Sequence, residues 1–480
     1  MNRKMHVYIL GFLLRIEAAF MVPSGLISLA SEEQQSAMAF FGTSFFMLVA
    51  GTLMSFRPPE NKTLNTREGL RIAATSWVLV SVFGALPLYF GGIGASYLDC
   101  LFEIVSGFTT TGASIFTDVE ILPKGILFWR SFTHWIGGMG VLVFLLSITS
   151  FSSGSLMYIM QAESPGPSVS KLVPKVKETA KILYSIYIFL TLIQIILLVA
   201  GGMPLFDSVL NTFGTAGTGG FSIKNKSIGF YDSAYVDYVI GIFMILFGVN
   251  FNAYFLLYSR KFKDFLKSEE PKVYLGIIAA AVLTITVNIY QTSYDSLSRA
   301  FRDAFFAVSS IITTTGYATA DFDLWPQLSR AILLLLMFFG ACAGSTGGGI
   351  KISRLIIYFK EAKRTIRQFS HPKAVEMVRL EGKSVDEETV SMSNAFLIMY
   401  LGIFISSVLL VSLDGYSYDT SFSAVAACLN NIGPGLGVVG PTGNYSTLSA
   451  LSKSTLIVDM LMGRLEIFPI VTFLNMKRGR

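Results

Sequence analysis

Little in this sequence is charged, and little of it is equipped to catalyse or to ligate a resident metal. Only 14% of its residues are Asp, Glu, Lys or Arg, against about 25% in ordinary soluble domains. That balance excludes a typical soluble multidomain enzyme of 480 residues. The chain has three histidines, none spaced as a metal pair. Its three cysteines, Cys100, Cys342 and Cys428, lie far apart with no CxxC spacing. They read as small apolar residues rather than a disulfide or zinc framework. No GxxxxGK[ST] phosphate loop occurs, so ATP-driven transport within this one chain is unsupported. No Ser/Lys, Asp/Asp or His/Glu pair stands at catalytic spacing inside an apolar run, and the expectation is a protein that is not an enzyme.

What the chain has is hydrophobicity: 52% apolar residues, 40 Phe and 43 Gly, with a mean hydropathy of +0.59. Glycine is frequent in membrane-spanning helices, and a span needs about 20 mostly apolar residues. Ten stretches qualify: 8–30, 37–56, 72–92, 127–150, 183–203, 236–258, 273–292, 330–350, 394–413 and 454–475. The first follows a short basic segment with no clean small-residue cleavage site after it, which predicts a retained span rather than a signal peptide. The net charge of +6 is distributed as a membrane protein distributes it, and nucleic acid is not an expected partner. Alternate connections hold 26 Lys and Arg on one side and 8 on the other. By the positive-inside rule the richer side is cytoplasmic, with both termini on it. The run 354–383, with eight Lys and Arg, suits lipid headgroups and could also touch a cytoplasmic partner.

The poorer side carries a repeat. "TTTG" at 109–112, "AGTG" at 216–219, "TTTG" at 313–316 and "NNIG" at 430–433 recur at intervals of 107, 97 and 117 residues. Each follows a short apolar segment headed by an aspartate: Asp99, Asp207, Asp303 and Asp419. Segments of about nine or ten helical residues reach roughly 15 Å, about half a bilayer core, so each must enter and turn back. An aspartate suits the N-terminus of such a helix, and the negative C-terminal end then points at the glycine stretch, where a cation is stabilised. Non-helical backbone at membrane depth is tolerated only when buried in protein or lining a wet cavity. One such stretch alone reads as an outer turn. Four in phase predict carbonyl groups converging on one axis and replacing the hydration shell of a cation, as in a potassium-type filter. The predicted filter residues are Thr110, Thr111, Gly112, Thr218, Gly219, Thr314, Thr315, Gly316, Asn431, Ile432 and Gly433. K⁺ is the ion expected there, with no covalent cofactor. Thr is missing from part of the second copy and from the fourth, so carbonyls rather than hydroxyls must carry the shared function.

Two other features stand inside spans. "GACAGSTGGGIK" (340–351) interrupts the eighth, and each glycine costs a helix roughly 1 kcal/mol relative to alanine. Close packing through a GxxxG spacing, Gly340 with Gly344, is one reading. The triple Gly347–Gly349 exceeds that need and points to a mobile gate built of Gly344, Ser345, Thr346, Gly347, Gly348 and Gly349. Arg464 lies mid-span, where a charge normally faces a cavity or a partner; Asp459 and Glu466 are the salt-bridge candidates. His134 in "THWIGGMG" reads as a packing residue rather than a proton relay.

The motifs "SGFTTTGAS", "HWIGGMGVLV", "GTAGTGGFS", "ITTTGYAT", "CAGSTGGGIK" and "NNIGPGLG" resemble the Trk/Ktr/HKT superfamily of potassium transporters over nearly the whole chain. The two spans before the first repeat resemble its TrkH branch. The resemblance implies an all-α integral membrane protein of about ten transmembrane helices plus four re-entrant pore helices. These form four pseudo-fourfold helix–pore loop–helix repeats around one pore. It implies units at 68–160, 175–262, 270–365 and 390–480 after a hairpin over 1–60, and Arg464 beneath the filter. It also implies a homodimer with one pore per protomer, and gating by a cytoplasmic nucleotide-binding RCK/KTN ring of the TrkA type. Serine at the first filter glycine, Gly112 here, goes with sodium permeation in the superfamily. The implied function is potassium uptake across the bacterial cytoplasmic membrane. Sodium- or proton-coupled symport is the alternative, although four repeats of one orientation suit a pore better than the inverted repeats of secondary transporters.

Overall fold

The computed structural model describes residues 2–61, 64–140, 176–372 and 376–474. Its N-terminal pair, Arg3–Ala30 and Gln34–Ser55, forms an antiparallel hairpin. Phe45, Phe46 and Leu53 stand exposed on its outside, as lipid-facing side chains do.

Four units follow, each a first helix, a pore helix, a tight turn and a second helix. The first helices are Thr66–Gly84 with its continuation Leu86–Phe90, Val176–Ala200, Glu269–Ile289 and Glu387–Val411. The pore helices are Tyr97–Phe108, Leu205–Gly217, Leu297–Ile312 and Tyr418–Leu429. At 12, 13, 16 and 12 residues they are longer than expected. Among the described residues, six helices are long and apolar enough to cross a membrane, and the pair Ala234–Gly248 and Phe251–Tyr258 makes a seventh if bent as one.

The second helices of the second and fourth repeats depart from the continuous spans expected over 236–258 and 454–475, while that of the third is interrupted where "GACAGSTGGGIK" leads one to expect it. The second repeat's helix turns by 90° between Gly248 and Phe251. Asn250 starts the new segment by accepting from Asn252 N at 2.8 Å. The third is Gln327–Phe338, then a loop, then Ile352–Ser370. The fourth runs from Ala450 to Arg464, breaks where Glu466 and Ile467 take positive φ (54° and 68°), and resumes at Phe468. Hydropathy averages composition across a break whose two sides are both apolar, so it cannot see one. In the first repeat the helix Lys124–Gly138 ends at the described boundary; the remainder of the span expected over 127–150 and most of the 150–183 linker lie outside the described residues, as does the unit boundary at 160.

Asp99, Asp207 and Asp419 lie in the first turn of their pore helices, as expected, but they are not the capping side chains. The side chains capping the first and fourth pore helices are Ser96 and Ser417. Asp99 accepts from Ser96 Oγ and from Lys453 Nζ (2.8 and 2.7 Å). Asp207 accepts from Tyr231 Oη (2.8 Å), Asp419 from Arg330 (3.3 Å). Asp303 sits in the second turn of its longer helix and accepts from Thr319 Oγ1 (3.0 Å). Each therefore ties its pore helix to another segment. A two-stranded hairpin, Arg379–Leu380 with Lys383–Ser384, is the one β element described.

Candidate functional site

Each pore helix ends in the same turn. The N–H of Thr111 reaches back to Ser106 O, Gly219 to Gly214 O and Thr315 to Ser310 O (2.8 Å each), and Ile432 to Ala427 O (2.9 Å). This six-to-one bond closes a helix whose next-to-last residue is left-handed. Those residues are Thr110 (φ 57°), Thr218 (57°), Thr314 (59°) and Asn431 (56°). A left-handed β-branched residue is a genuine outlier, costing on the order of 1–3 kcal/mol where the surroundings impose it. Three threonines adopt it here at equivalent points.

Two residues beyond each outlier lies a second positive φ: Gly112 (81°), Gly220 (71°), Gly316 (89°) and Gly433 (97°). Gly220, not Gly219, is therefore in phase with the other three glycines. Gly219 stands with Thr111, Thr315 and Ile432, so the alignment of the second repeat shifts by one.

The four glycines form a closed ring. A Cβ on Gly433 would meet Thr111 O at 2.7 Å, and one on Gly316 would meet Pro434 Cδ at 2.9 Å. A Cβ on Gly112 would overlap Gly219 O, and one on Gly220 would overlap Thr315 O. Each turn thus leans on the next, in the order first, second, third, fourth and back to first. Several hydroxyls are spent within their own turns: Thr109 on Thr111 (2.8 Å), Thr313 on Thr315 (2.7 Å), Thr218 on Gly217 O (2.6 Å). Asn431 Nδ2 bridges Thr111 Oγ1 and Met460 O (3.0 and 2.9 Å). Among the described residues, the backbone carbonyls of 110–112, 218–220, 314–316 and 431–432 accept no hydrogen bond. On one side the ring opens into a pocket lined by Gly112, Gly220, Gly316 and Gly433 together with Ser222 and Tyr445.

On the other side lies the glycine loop. Gly348 N donates to Thr314 Oγ1 (2.7 Å), which places the loop directly against the third turn. Gly344 (φ 70°) offers its carbonyl to Phe251 N (3.1 Å), Ser345 Oγ donates to Cys342 O (2.7 Å), and Thr346 Oγ1 donates to Phe247 O (3.3 Å). A Cβ on Gly347 would meet Thr313 O at 3.0 Å, and one on Gly349 would meet Gly340 Cα at 2.9 Å. Gly340 thus packs against the loop itself rather than in a helix–helix GxxxG contact. Lys351, buried in the motif's last position, donates to Gly347 O and Gly348 O.

Arg464 closes the arrangement from the fourth repeat. Its guanidinium donates to Thr346 O (2.8 Å), Gly137 O (2.5 Å) and Gly138 O (2.7 Å), and lies 3.4 Å from Thr110 Oγ1. It therefore bridges the loop and the C-terminal end of the helix Lys124–Gly138, beneath the turns. The two carboxylates considered for it are engaged elsewhere: Glu466 with Arg354 (2.5 Å) and Asp459 with Ser407 Oγ (2.8 Å). His134 is a wedge between turns. Its Nε2 accepts from Phe221 N (3.2 Å), so its Nδ1 donates to Gly107 O (2.8 Å) and the ring is neutral.

Sequence reasoning missed the buried pair behind the first turn. Arg130 holds Glu103 at 2.7 Å, while Glu103 accepts from Ser114 Oγ (3.1 Å) and Ile115 N (2.9 Å). The arginine also lies over the Phe221 ring, 4.2 Å from its centre. Glu270 and Asn250, which hold the loop, were missed too. The available signal for Glu103, Arg130 and Asn250 was a charge or amide within an apolar run; Glu270, in the polar stretch 268–272, gave none.

These features define a multi-pass helical membrane protein with four pore-helix repeats around one ring of strained, buried backbone. The profile of a cation transport protein family, TrkH, matches residues 36–478. The chain belongs to the TrkH family. It is 35% identical over 468 residues to the Trk system potassium uptake protein TrkH of Salmonella typhimurium, covering 96% of both chains. It is 36% identical over 476 residues to that of Halomonas elongata, covering 98% of both. The crystal structure of the potassium transporter TrkH from Vibrio parahaemolyticus superposes with a TM-score of 0.90 at 30% identity, covering all of both chains.

Proposed function

We propose that this protein takes up potassium across the bacterial cytoplasmic membrane through the ring of four turns, used as a selectivity filter. The observation that carries this is the set of buried carbonyls at 110–112, 218–220, 314–316 and 431–432 that have no donor among the described residues. Buried carbonyls are almost always paired, and a dehydrated cation pairs with many at once. The left-handed turns at Thr110, Thr218, Thr314 and Asn431 set their direction. Potassium is the ion named for the Salmonella and Halomonas relatives. Gly344–Gly349 and Arg464 form the gate beneath.

The orientation that fits the Lys and Arg asymmetry puts both termini in the cytoplasm and the vestibule outside. The repeat units are those over 68–160, 175–262, 270–365 and 390–480. The working assembly is a homodimer with one pore per protomer, opened by a cytoplasmic nucleotide-binding RCK/KTN ring. The test is purification from native membranes in mild detergent, followed by rubidium uptake in proteoliposomes with and without added ATP or ADP. A co-purifying soluble nucleotide-binding protein and nucleotide-dependent uptake are expected. Nucleotide-insensitive uptake with no such protein associated contradicts the gating part.

A further inference from the structure

Backbone at membrane depth needs partners. The flanks of the glycine loop pair with each other, Gly340 N donating to Ile350 O (2.8 Å) and Ile352 N to Ala341 O (3.3 Å), and just inside and beyond that pairing one side chain takes an N–H from each flank. Glu270, buried near the start of the helix Glu269–Ile289, accepts from Ala343 N (2.7 Å) and from Ser353 N (3.0 Å) on the same oxygen, Oε1. Ala343 opens the loop and Ser353 begins the helix that follows it, so one carboxylate pins both strands of the loop's base. Its other oxygen lies 3.4 Å from Asn250 Nδ2, at the bend of the second repeat.

The helix carrying Glu270 is itself held from the basic face. Glu381, in the turn of the hairpin Arg379–Ser384, accepts from Ser268 Oγ (3.0 Å), Glu269 N (3.0 Å) and Glu270 N (3.2 Å) with Oε1. A carboxylate there satisfies free N–H groups at a helix N-terminus. Lys360, on the helix Ile352–Ser370, joins Glu269 (2.6 Å) to the hairpin carbonyl of Arg379 (2.8 Å). Val378 beside the hairpin packs on Ile357 of that same helix. The hairpin therefore cross-links the two helices between which the loop hangs.

We propose that Glu270 is the positioning residue that holds the glycine loop under the filter, and that the hairpin, through Glu381, is the handle by which a load on the basic face reaches it. This deepens the gate reading and rests on it. When the hairpin shifts, Glu381 releases the first turn of the helix, Glu270 moves, and both strands of the loop base lose their shared acceptor at once. Arg464 holds the same loop at Thr346 O, so loss of either clasp weakens its hold beneath the filter.

The test uses the full-length protein in proteoliposomes with two readouts: rubidium uptake, and modification of native Cys342 by a maleimide, located by peptide mass. Cys342 is buried in the loop and reports its release directly. Glu270→Ala is expected to raise both by about tenfold or more, the scale of one lost charge-assisted hydrogen bond. Glu270→Gln keeps an acceptor for both N–H groups and is expected to stay near the parent. Glu381→Ala is expected to shift both readouts the same way by less, and stands in if Glu270→Ala does not insert. Parental uptake and parental Cys342 labelling in Glu270→Ala and Glu381→Ala, while Arg464→Ala conducts freely, overturn the tether. Raised labelling with parental uptake in all three variants overturns the gate itself, and the proposal with it.

Discussion

Replacing Arg464 separates two things that one side chain does. The guanidinium ties Thr346 O to Gly137 O and Gly138 O, and it places a positive charge beneath the ring. Hydrogen bonds from a charged donor are worth about 1.5–3 kcal/mol each, so the tie resists loop departure strongly. A cation held about 8 Å away, at an effective permittivity of about 20, is opposed by about 2 kcal/mol, or roughly thirtyfold in occupancy. Arg464→Ala removes both effects and should raise basal rubidium uptake by at least that factor of about thirty. Arg464→Lys keeps the charge, but a lysine lacks the planar fork that spans three carbonyls. It should fall between parent and alanine, closer to alanine if the tie dominates and closer to the parent if the field does. The assay is uptake per inserted protein, with insertion checked by protease protection. A folded Arg464→Ala that conducts only at the parental rate refutes the reasoning, because the arginine would then neither hold nor repel anything on the ion's path.

Further outcomes follow from the same geometry. Gly112→Ser and Gly220→Ser should both relax the preference for K⁺ over Na⁺, read as a shift in reversal potential, since each side chain would displace the neighbouring turn's carbonyl; retention of full preference in Gly220→Ser contradicts the revised register. Arg130→Ala leaves Glu103 buried and uncompensated, a loss of about 3–5 kcal/mol, and should lower the thermal unfolding midpoint in detergent well below that of an exposed control such as Lys226→Ala. Deleting Gly347–Gly349 should raise uptake and weaken its dependence on nucleotide; parental uptake in the inserted protein would mark the loop as a packing device.

How much of this was readable in the chain differs by feature. The turns were legible because a short polar stretch ending in glycine recurs four times in one phase, each time after a short apolar segment. In the second copy, Thr218 and Gly219 imitate the Thr111–Gly112 pair, and only the backbone angles show that Gly220 takes the glycine's place. Arg464 and the triple glycine stood out because each breaks the rule of its surroundings, a charge and a helix-breaking run inside apolar spans. The breaks at Val249–Asn250 and Leu465–Ile467 did not stand out, since apolar residues flank them on both sides. Glu270 reads in sequence as a favourable charge at a helix start. Its partners Ala343 and Ser353 lie 73 and 83 residues away, a separation no local pattern reports. The same holds for Lys453 and Asp99, which join the fourth repeat to the first across 354 residues.

The central claim is that the backbone carbonyls of four turns in one ring, not side chains or a coupled carrier cycle, choose the ion. It is tested most directly by reconstituting the Arg464→Ala protein in proteoliposomes and measuring reversal potentials under opposed K⁺ and Na⁺ gradients without a proton gradient. The account predicts a potential near that for K⁺, with Rb⁺ able to replace it. A potential set equally by Na⁺ and K⁺, or no current until a proton gradient is imposed, would contradict it.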